Sequence, residues 1–275
     1  MHLLRLQIPA ILHSSLVLAC WFVAYFLVFT LLWKFMACNP GQPWWRKDSL
    51  TDIAYFFLLP IGSRIVRIYL ITGGVYLFLR PLSKETLIHF LKYGYGPVST
   101  LPLWLQAALV FLLQDFLLYW MHRLFHGKIL WRFHAVHHSP TEVDWLSAAR
   151  FHPVNAWLTF TLVDVLMLFI GFPSNAVTVL AVFNMSYSAM VHANLNWTFG
   201  KLGYVFASPV FHRWHHTAQE EGLDKNFAPS LAFLDVVFGT FYMPEARKPE
   251  RYGVPGMTMP KSFLGQIVWP FRRQP

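Results

Sequence analysis

The sequence predicts an all-α integral membrane protein, a bundle of about four to five transmembrane helices with a helical cap on one membrane face. Composition is the first observation behind this class. Hydrophobic residues make up 56% of the 275 residues and charged residues only 13%, whereas a soluble domain carries about 25% charged residues. The second is that the apolar residues form segments long enough to span a bilayer, which takes about 20 residues.

The N-terminal half supplies the first predicted spans. Residues 9–33 form an apolar run that is longer than the roughly 7–15 residues of a signal-peptide core, so we expect an anchor helix. Residues 52–79 are apolar but interrupted by Pro60 and Gly62, which leaves open one kinked span or a re-entrant pair. Residues 101–120 are a clear span that runs directly into His122.

A helical hairpin is predicted next. Residues 154–172 and 176–192 are apolar and are joined by GFPSN, a sequence typical of a tight turn. Beyond residue 193 the chain is polar and aromatic without a spanning segment, and residues 263–271 are expected to lie on the surface.

The basic residues predict the orientation. The formal charge of +9 is spread among apolar spans instead of forming one stripe, which argues against a nucleic-acid partner. Cytoplasmic loops are enriched in Lys and Arg, so the face after residue 120 is predicted to be cytoplasmic. Its basic residues are Arg123, Lys128, Arg132, Arg150, Lys201, Arg213 and Lys225.

Histidines gather on this same face. Ten of the 13 histidines lie between residues 122 and 216, at the ends of the predicted spans or in the polar tail. The motifs HRLFH, HAVHH and HRWHH space them by three or four residues, which places them on one face of a helix. The only cysteines, Cys20 and Cys38, lie far from these motifs.

So many neighbouring imidazoles predict metal binding. Neutral imidazole suits iron, zinc, copper and nickel, and the set is too large for one ion. A zinc protease needs HExxH, but Arg123 follows His122. The Glu and ExxH pattern of soluble di-iron bundles is also missing. An all-nitrogen site for two metals at a membrane face indicates non-haem iron and oxygen chemistry.

These motifs resemble the fatty acid hydroxylase/sterol desaturase superfamily of integral-membrane di-iron enzymes. The resemblance covers residues 105–245 and includes RFHP (150–153), HAN (192–194), LDKNF (223–227) and FGTFYMP (238–244). It implies two iron ions held by His122, His126, His134, His137, His138, His192, His212, His215 and His216. RFHP makes His152 either a tenth ligand or a supporting group, and Asn194 or Asn196 either replaces a ligand or orients one.

Three polar residues are expected to support the ligands. Asp115 lies two helical turns before His122 in the same span, and a carboxylate there would hold a ligand imidazole. The alternative is neutralisation by Arg64 or Arg67. Asp224 and Asn226 follow the last cluster and are expected to orient its histidines.

The predicted function is O2-dependent hydroxylation or desaturation of a lipid, sterol-like or fatty-acyl. The chain has no flavin, nicotinamide or haem motif, so electrons must come from an external ferredoxin, cytochrome or reductase. A membrane metal-binding or metal-transport protein is the alternative. Residues 1–100 are predicted to be a membrane anchor region, 101–245 the catalytic region and 246–275 a cytoplasmic tail, folding as one unit in a bacterial inner membrane.

Overall fold

The computed structural model describes residues 2–78 and 83–272. The regular secondary structure of the described residues is helical, with a single isolated bridge between Thr217 and Tyr252 and no other β-structure in these ranges. The predicted all-α class is confirmed.

Two long helices form the N-terminal part. Helix α1 (His2–Met36) contains the predicted anchor. Helix α2 (Ser49–Phe78) is one continuous helix with Pro60 inside it, so the re-entrant alternative for residues 52–79 is wrong. Proline removes one backbone hydrogen bond but does not end the helix here. Helix α3 (Lys84–Tyr93) follows and is capped by the Ser83 side chain.

The site-bearing helices come next. Helix α4 (Leu103–Phe125) ends at the first histidines, and α5 (Trp131–His138) carries the second cluster. The predicted hairpin consists of α6 (Pro153–Ile170) and α7 (Ala181–His192). The second arm is shorter than predicted, because a separate turn, Ser174–Thr178, precedes it. Thr178 Oγ1 donates to the carbonyl of Ser174, a local bond that competes with helix continuation.

Gly171 makes the hairpin turn. Its φ of 108° ends α6 in the left-handed region, which glycine adopts without steric cost. A Cβ at this position would also clash with the carbonyl oxygen of Tyr95, whose own N–H donates to Gly171 O at 2.9 Å. The segment that precedes α4 is thereby joined to the hairpin turn.

Short helices complete the cap: α8 (Pro209–His215), α9 (Phe233–Val237) and α10 (Phe263–Val268). Within the described ranges, three helical stretches are long and apolar enough to cross a membrane, namely His13–Met36, Leu103–Phe125 and Pro153–Ile170. The protein is a membrane protein, and the predicted total of about four to five spans stays a prediction.

Aromatic packing fixes the helices around the site. Tyr25 and Phe29 of α1 pack with Phe56 of α2 and with Leu195 after α7. A second cluster places Tyr119 of α4 against Phe211 and Phe227. Val191 and Ala193, the two chain neighbours of His192, belong to the second and the first cluster, so both clusters hold the end of α7.

Candidate metal centre

The histidines assemble into two groups whose ligand atoms lie within 4.8 Å of one another. The larger group, group A, contains His122, His126, His134, His138 and His215. The smaller, group B, contains His137, His192, His212 and His216. Each proposed ligand except His152 belongs to one of them.

Each HH pair is divided between the two groups. His137 belongs to group B and His138 to group A, and His215 and His216 are divided in the same way. Adjacent helical residues point about 100° apart, so one short helix can serve two sites. The groups are therefore neighbours that share helices α5 and α8.

Backbone and side-chain acceptors fix the tautomers of most rings. In group A, Nδ1 of His122 lies 2.7 Å from Phe227 O, and Nδ1 of His215 lies 2.8 Å from Lys225 O. In group B, Nδ1 of His137 lies 3.0 Å from Arg150 O. A carbonyl only accepts hydrogen bonds, so each Nδ1 carries the proton. The Nε2 atoms therefore carry free lone pairs.

These lone pairs face each other at short distances. His122 Nε2 lies 3.0 Å from His134 Nε2, and His137 Nε2 lies 3.2 Å from His192 Nε2. Nδ1 of His134 faces Asn155 Oδ1 at 2.8 Å and Nδ1 of His192 faces Ser188 O at 2.7 Å, so none of the four Nε2 atoms has a hydrogen to donate. A cation removes this repulsion, since imidazoles on one ion at roughly 2.1 Å and right angles have nitrogens about 3.0 Å apart.

The pKa shifts agree with this donor set. Burial, followed by the neighbouring histidines, lowers the pKa of six histidines on or directly after α5 and α8 well below 6.5. These are His134, His137, His138, His212, His215 and His216. They are neutral at neutral pH, which is the form that binds a metal.

Asp224 contacts a proposed ligand, but that ligand belongs to the HRLFH motif and not to the last cluster, whose histidines Asp224 was expected to orient. His126 Nδ1 donates to Asp224 Oδ1 at 2.9 Å, and this hydrogen bond is the first cause that lowers the pKa of Asp224. Burial lowers the pKa of His126, while Asp224 opposes that shift. Asp224 has a φ of 54°, a left-handed conformation that Asp tolerates better than most residues.

His152 lies outside both groups, so the structure does not support a tenth ligand. Its Nε2 donates to Ile267 O at 2.9 Å, and its Nδ1 accepts from the Val154 backbone N–H at 3.2 Å. Both ring nitrogens are occupied by backbone groups. The ring ties the start of α6 to α10.

Two other expected supports act on the backbone instead of on imidazoles. Asp115 was expected to hold a ligand, but its Oδ2 accepts from the Leu231 N–H at 2.8 Å. Asn226 donates to Phe211 O at 2.8 Å and pairs with the backbone of Tyr242. Asn226 therefore braces α8, which carries ligands, without contacting their rings. The side chains of Arg64 and Arg67 lie outside the described residues.

The HAN segment (192–194) contributes only His192 to the two groups. Asn194 exchanges two hydrogen bonds of 2.9 Å with the backbone of Asn39. The backbone N–H of Asn196 donates to Met36 O at 2.8 Å. Both residues fasten the end of α7 to the end of α1, and neither belongs to the histidine groups.

Asn155 is a supporting residue that the sequence analysis missed. Its Oδ1 accepts from His134, and its Nδ2 donates to Thr159 Oγ1 at 3.1 Å, which sets the orientation of the amide. It precedes a π-helical segment, Trp157–Thr161, a feature frequent at functional sites. Its position just after RFHP was the signal that could have found it.

The fold and site define a class: an all-helical membrane protein whose span ends carry a buried, all-histidine centre with places for two metals. The family model for fatty acid hydroxylases matches residues 107–240. This chain belongs to that superfamily of fatty acid hydroxylases and sterol oxidases.

The chain is similar to several lipid-modifying enzymes. It is 27% identical over 259 residues to the ornithine lipid hydroxylase OlsE of Rhizobium tropici, covering 92% of this chain and 76% of OlsE. It is 33% identical over 210 residues to human alkylglycerol monooxygenase, covering 76% of this chain and 43% of that enzyme. The C-4 methylsterol oxidase erg25 of Schizosaccharomyces pombe is 31% identical over 152 residues, with coverages of 52% and 49%. No solved structure matches the chain.

Proposed function

We propose that this chain is a membrane-bound non-haem di-iron oxygenase that hydroxylates or desaturates a lipid with O2 and electrons from an external donor. One observation carries the proposal: two adjacent groups of buried imidazoles whose lone pairs converge. Imidazole is a ligand that suits iron, and the superfamily membership supports iron over other metals.

The protein's own residues perform three tasks in this proposal. The Nδ1 hydrogen bonds orient the rings, as partners of ligand imidazoles do in other metal sites. Burial of the ligands keeps them neutral and limits access of bulk water. Phe227, which packs with Tyr119 and Phe211 in an apolar cluster, lies beside the His122 ring and gives the centre an apolar wall.

Two iron ions bound there would supply the reduction of O2 and the abstraction of hydrogen from an unactivated C–H bond. Hydroxylation combines the lipid, O2, two electrons and two protons to give an alcohol and water. Desaturation takes the same inputs and gives a C=C bond and two waters. Both need two electrons from outside, for which we propose a ferredoxin, cytochrome or reductase.

The substrate is proposed to be a membrane lipid. The relatives named above act on an ornithine lipid, an alkylglycerol and a methylsterol by their names. The alignment with OlsE extends over 92% of this chain, so a bacterial lipid with a polar headgroup is the first substrate to test. We also propose that the centre faces the cytoplasm of a bacterial inner membrane.

An apolar cavity of about 370 Å³ lies between α4 and α7, within the size range of ligand pockets. Its α7 wall consists of Phe183, Tyr187 and Met190. At about 100° per residue, these three share a face of α7 opposite to His192. The cavity therefore does not lead along α7 to group B. We do not propose it as the place where the reacting carbon of the lipid lies.

The experiment is to load the purified protein with iron under anaerobic conditions and supply O2, a reduced ferredoxin and membrane lipid. We expect two irons per chain, and product lipid heavier by one oxygen atom or lighter by two hydrogen atoms. A protein that holds metal and moves it across vesicles, without oxidising lipid, would instead support the metal-transport alternative.

A further inference from the structure

A buried ion cluster connects the segment between α1 and α2 to the segment after α5. We call residues 37–48 the α1–α2 connector. Arg46 of the connector binds both carboxylate oxygens of Asp144, at 2.6 and 2.7 Å. Its Nη2 also donates to Asp52 Oδ2 at 2.7 Å, and Arg150 Nε donates to Asp52 Oδ1 at 2.5 Å. The Asp52 and Arg150 side chains are completely buried.

Arg150 connects this cluster to a metal ligand. Its side chain is held by Asp52, and its backbone carbonyl accepts the Nδ1 proton of His137 at 3.0 Å. Phe151 stacks on the His137 ring with centroids 4.1 Å apart. The position of Asp52 therefore determines where the carbonyl that orients His137 lies.

Stability alone does not explain such a cluster. Desolvating buried ions costs several kcal/mol per ion, and replacing a buried ion pair with well-packed apolar residues is often neutral or stabilising. What the cluster provides is a fixed geometry, because Arg46 binds Asp144 in a bidentate manner and Asp52 is shared by Arg46 and Arg150. That geometry is imposed on the segment from Glu142 to Arg150, which leads from α5 to α6.

A third arginine, Arg213, links the connector to the other group B segments. Arg213 lies in α8 next to His212, and it donates to Asn39 Oδ1 and to Val143 O, the latter at 2.6 Å. It also approaches His192 O at 3.5 Å. The connector thus contacts the segments that carry His137, His192 and His212.

The direct Nδ1 partners of both groups lie within residues 107–240, the range that matches the fatty acid hydroxylase family. In group A they are Phe227 O, Asp224, Asn155 and Lys225 O, and in group B they are Arg150 O and Ser188 O. Group B differs one step further out, because the Arg150 side chain is held by Asp52. Asp52 and the connector lie outside the matched range.

We infer that Asp52, Arg46 and Asn39 are positioning residues for group B, so that the second metal depends on residues outside the fatty acid hydroxylase range. This inference rests on the proposed function in that both groups hold a metal. The N-terminal region is in this view a structural part of the centre as well as an anchor.

The test is the iron content and Mössbauer spectrum of the purified, iron-loaded full chain carrying Asp52→Asn. Loss of a supporting partner typically lowers metal affinity about 10–100-fold. At limiting iron we expect the group B signal to fall and the group A signal to stay. The two signals are assigned with His137→Ala for group B and His138→Ala for group A.

Asn39→Ala is the second variant, because Asp52→Asn leaves Arg46 and Arg150 short of a buried charge and can prevent folding. It removes an acceptor of Arg213 and is expected to diminish the same signal. Asp52→Glu keeps a carboxylate at this position and should therefore retain part of the group B signal that Asp52→Asn loses. Glu221→Gln, at an exposed pair with Arg247, is the control and should change neither signal.

The outcomes distinguish a failure of this inference from a failure of the proposed function. A selective loss of the group B signal in either variant supports the inference. Wild-type spectra in both variants, or an equal loss of both signals, overturn it. A wild-type chain that never binds a second metal overturns the proposed function itself, whatever the variants do.

Discussion

His126 Nδ1 lies 2.9 Å from Asp224 Oδ1, and this contact joins the surface to group A. The Asp224 side chain is 74% exposed, whereas that of His126 is 7% exposed. The other ring acceptors, on Phe227, Asn155, Arg150, Ser188 and Lys225, belong to buried or half-buried residues. The His126–Asp224 pair is therefore the solvent-facing edge of the centre. It is the place where a surface substitution should alter metal binding.

Asp224→Ala is expected to weaken metal binding at group A about 10–100-fold, because the His126 ring loses the acceptor that orients it. Asp224→Asn keeps an oxygen acceptor and should lose less. Competition with a chelator during iron loading measures the affinity. If Asp224→Ala bound both irons as tightly as the wild type, the carboxylate would have no part in supporting His126.

The divided HH pairs predict that adjacent substitutions act on different metals. His137→Ala removes a group B ligand, and His138→Ala removes a group A ligand. Each variant should bind about one iron and have background lipid oxidation, because the remaining groups cannot replace the lost bond. Metal analysis with Mössbauer spectroscopy distinguishes them. His89→Ala, away from the centre, is the control, and normal iron content in both ligand variants would refute the site.

The sequence predicted which histidines come together better than it predicted which residues support them. Ligand positions follow from short-range spacing, since HxxHH on a helix presents its imidazoles together. The supports depend on contacts between distant segments. Asp115 shares a helix with His122, yet its partner is the Leu231 N–H, and no local pattern encodes that.

The role of two basic residues was also missed, because it depends on contacts between distant segments. Arg150 and Arg213 were counted as loop charges facing the cytoplasm, but both are fully buried. Their partners Asp52 and Asn39 lie about a hundred residues or more away in the chain. Charge counting cannot separate a solvated loop arginine from one that is buried and paired. The predicted orientation in the membrane therefore rests on the basic residues that are exposed.

His152→Ala is expected to lower stability without loss of iron. Its ring bonds the backbone at Ile267 and Val154, and removing it leaves buried groups unsatisfied at a cost of about 1–3 kcal/mol each. Thermal unfolding and iron content of the same sample measure the two effects. A variant that unfolds normally but lacks one iron would restore His152 as a ligand.

Asp115 is also expected to affect the fold and not the metals. Asp115→Leu leaves the Leu231 N–H unpaired in a buried site, a loss of about 1–3 kcal/mol in unfolding free energy. Asp115→Asn keeps an acceptor and should lose less. Chemical unfolding in detergent measures the loss, and both variants should purify with the wild-type iron content. Loss of iron from Asp115→Asn would return this carboxylate to the centre.

The last prediction concerns the side of the membrane. The centre joins the end of α4, the start of α6 and the end of α7, whereas the Gly171 turn contacts Tyr95 near the other end of α4. A 23-residue helix such as α4 is about 34 Å long, enough for the roughly 30 Å hydrocarbon core. The turn and the centre should therefore face opposite sides. The exposed basic residues on the centre's side, Lys128, Arg132, Lys201 and Lys248, favour the cytoplasm.

Single cysteines test this in intact cells of a chain lacking Cys20. Ser174→Cys lies in the exposed turn and Lys248→Cys in the exposed tail. An impermeant maleimide should label Ser174→Cys in intact cells, and Lys248→Cys only after the cells are broken. The reverse pattern would place the centre outside the cytoplasm, out of reach of soluble cytoplasmic electron donors, because a protein donor cannot cross the bilayer.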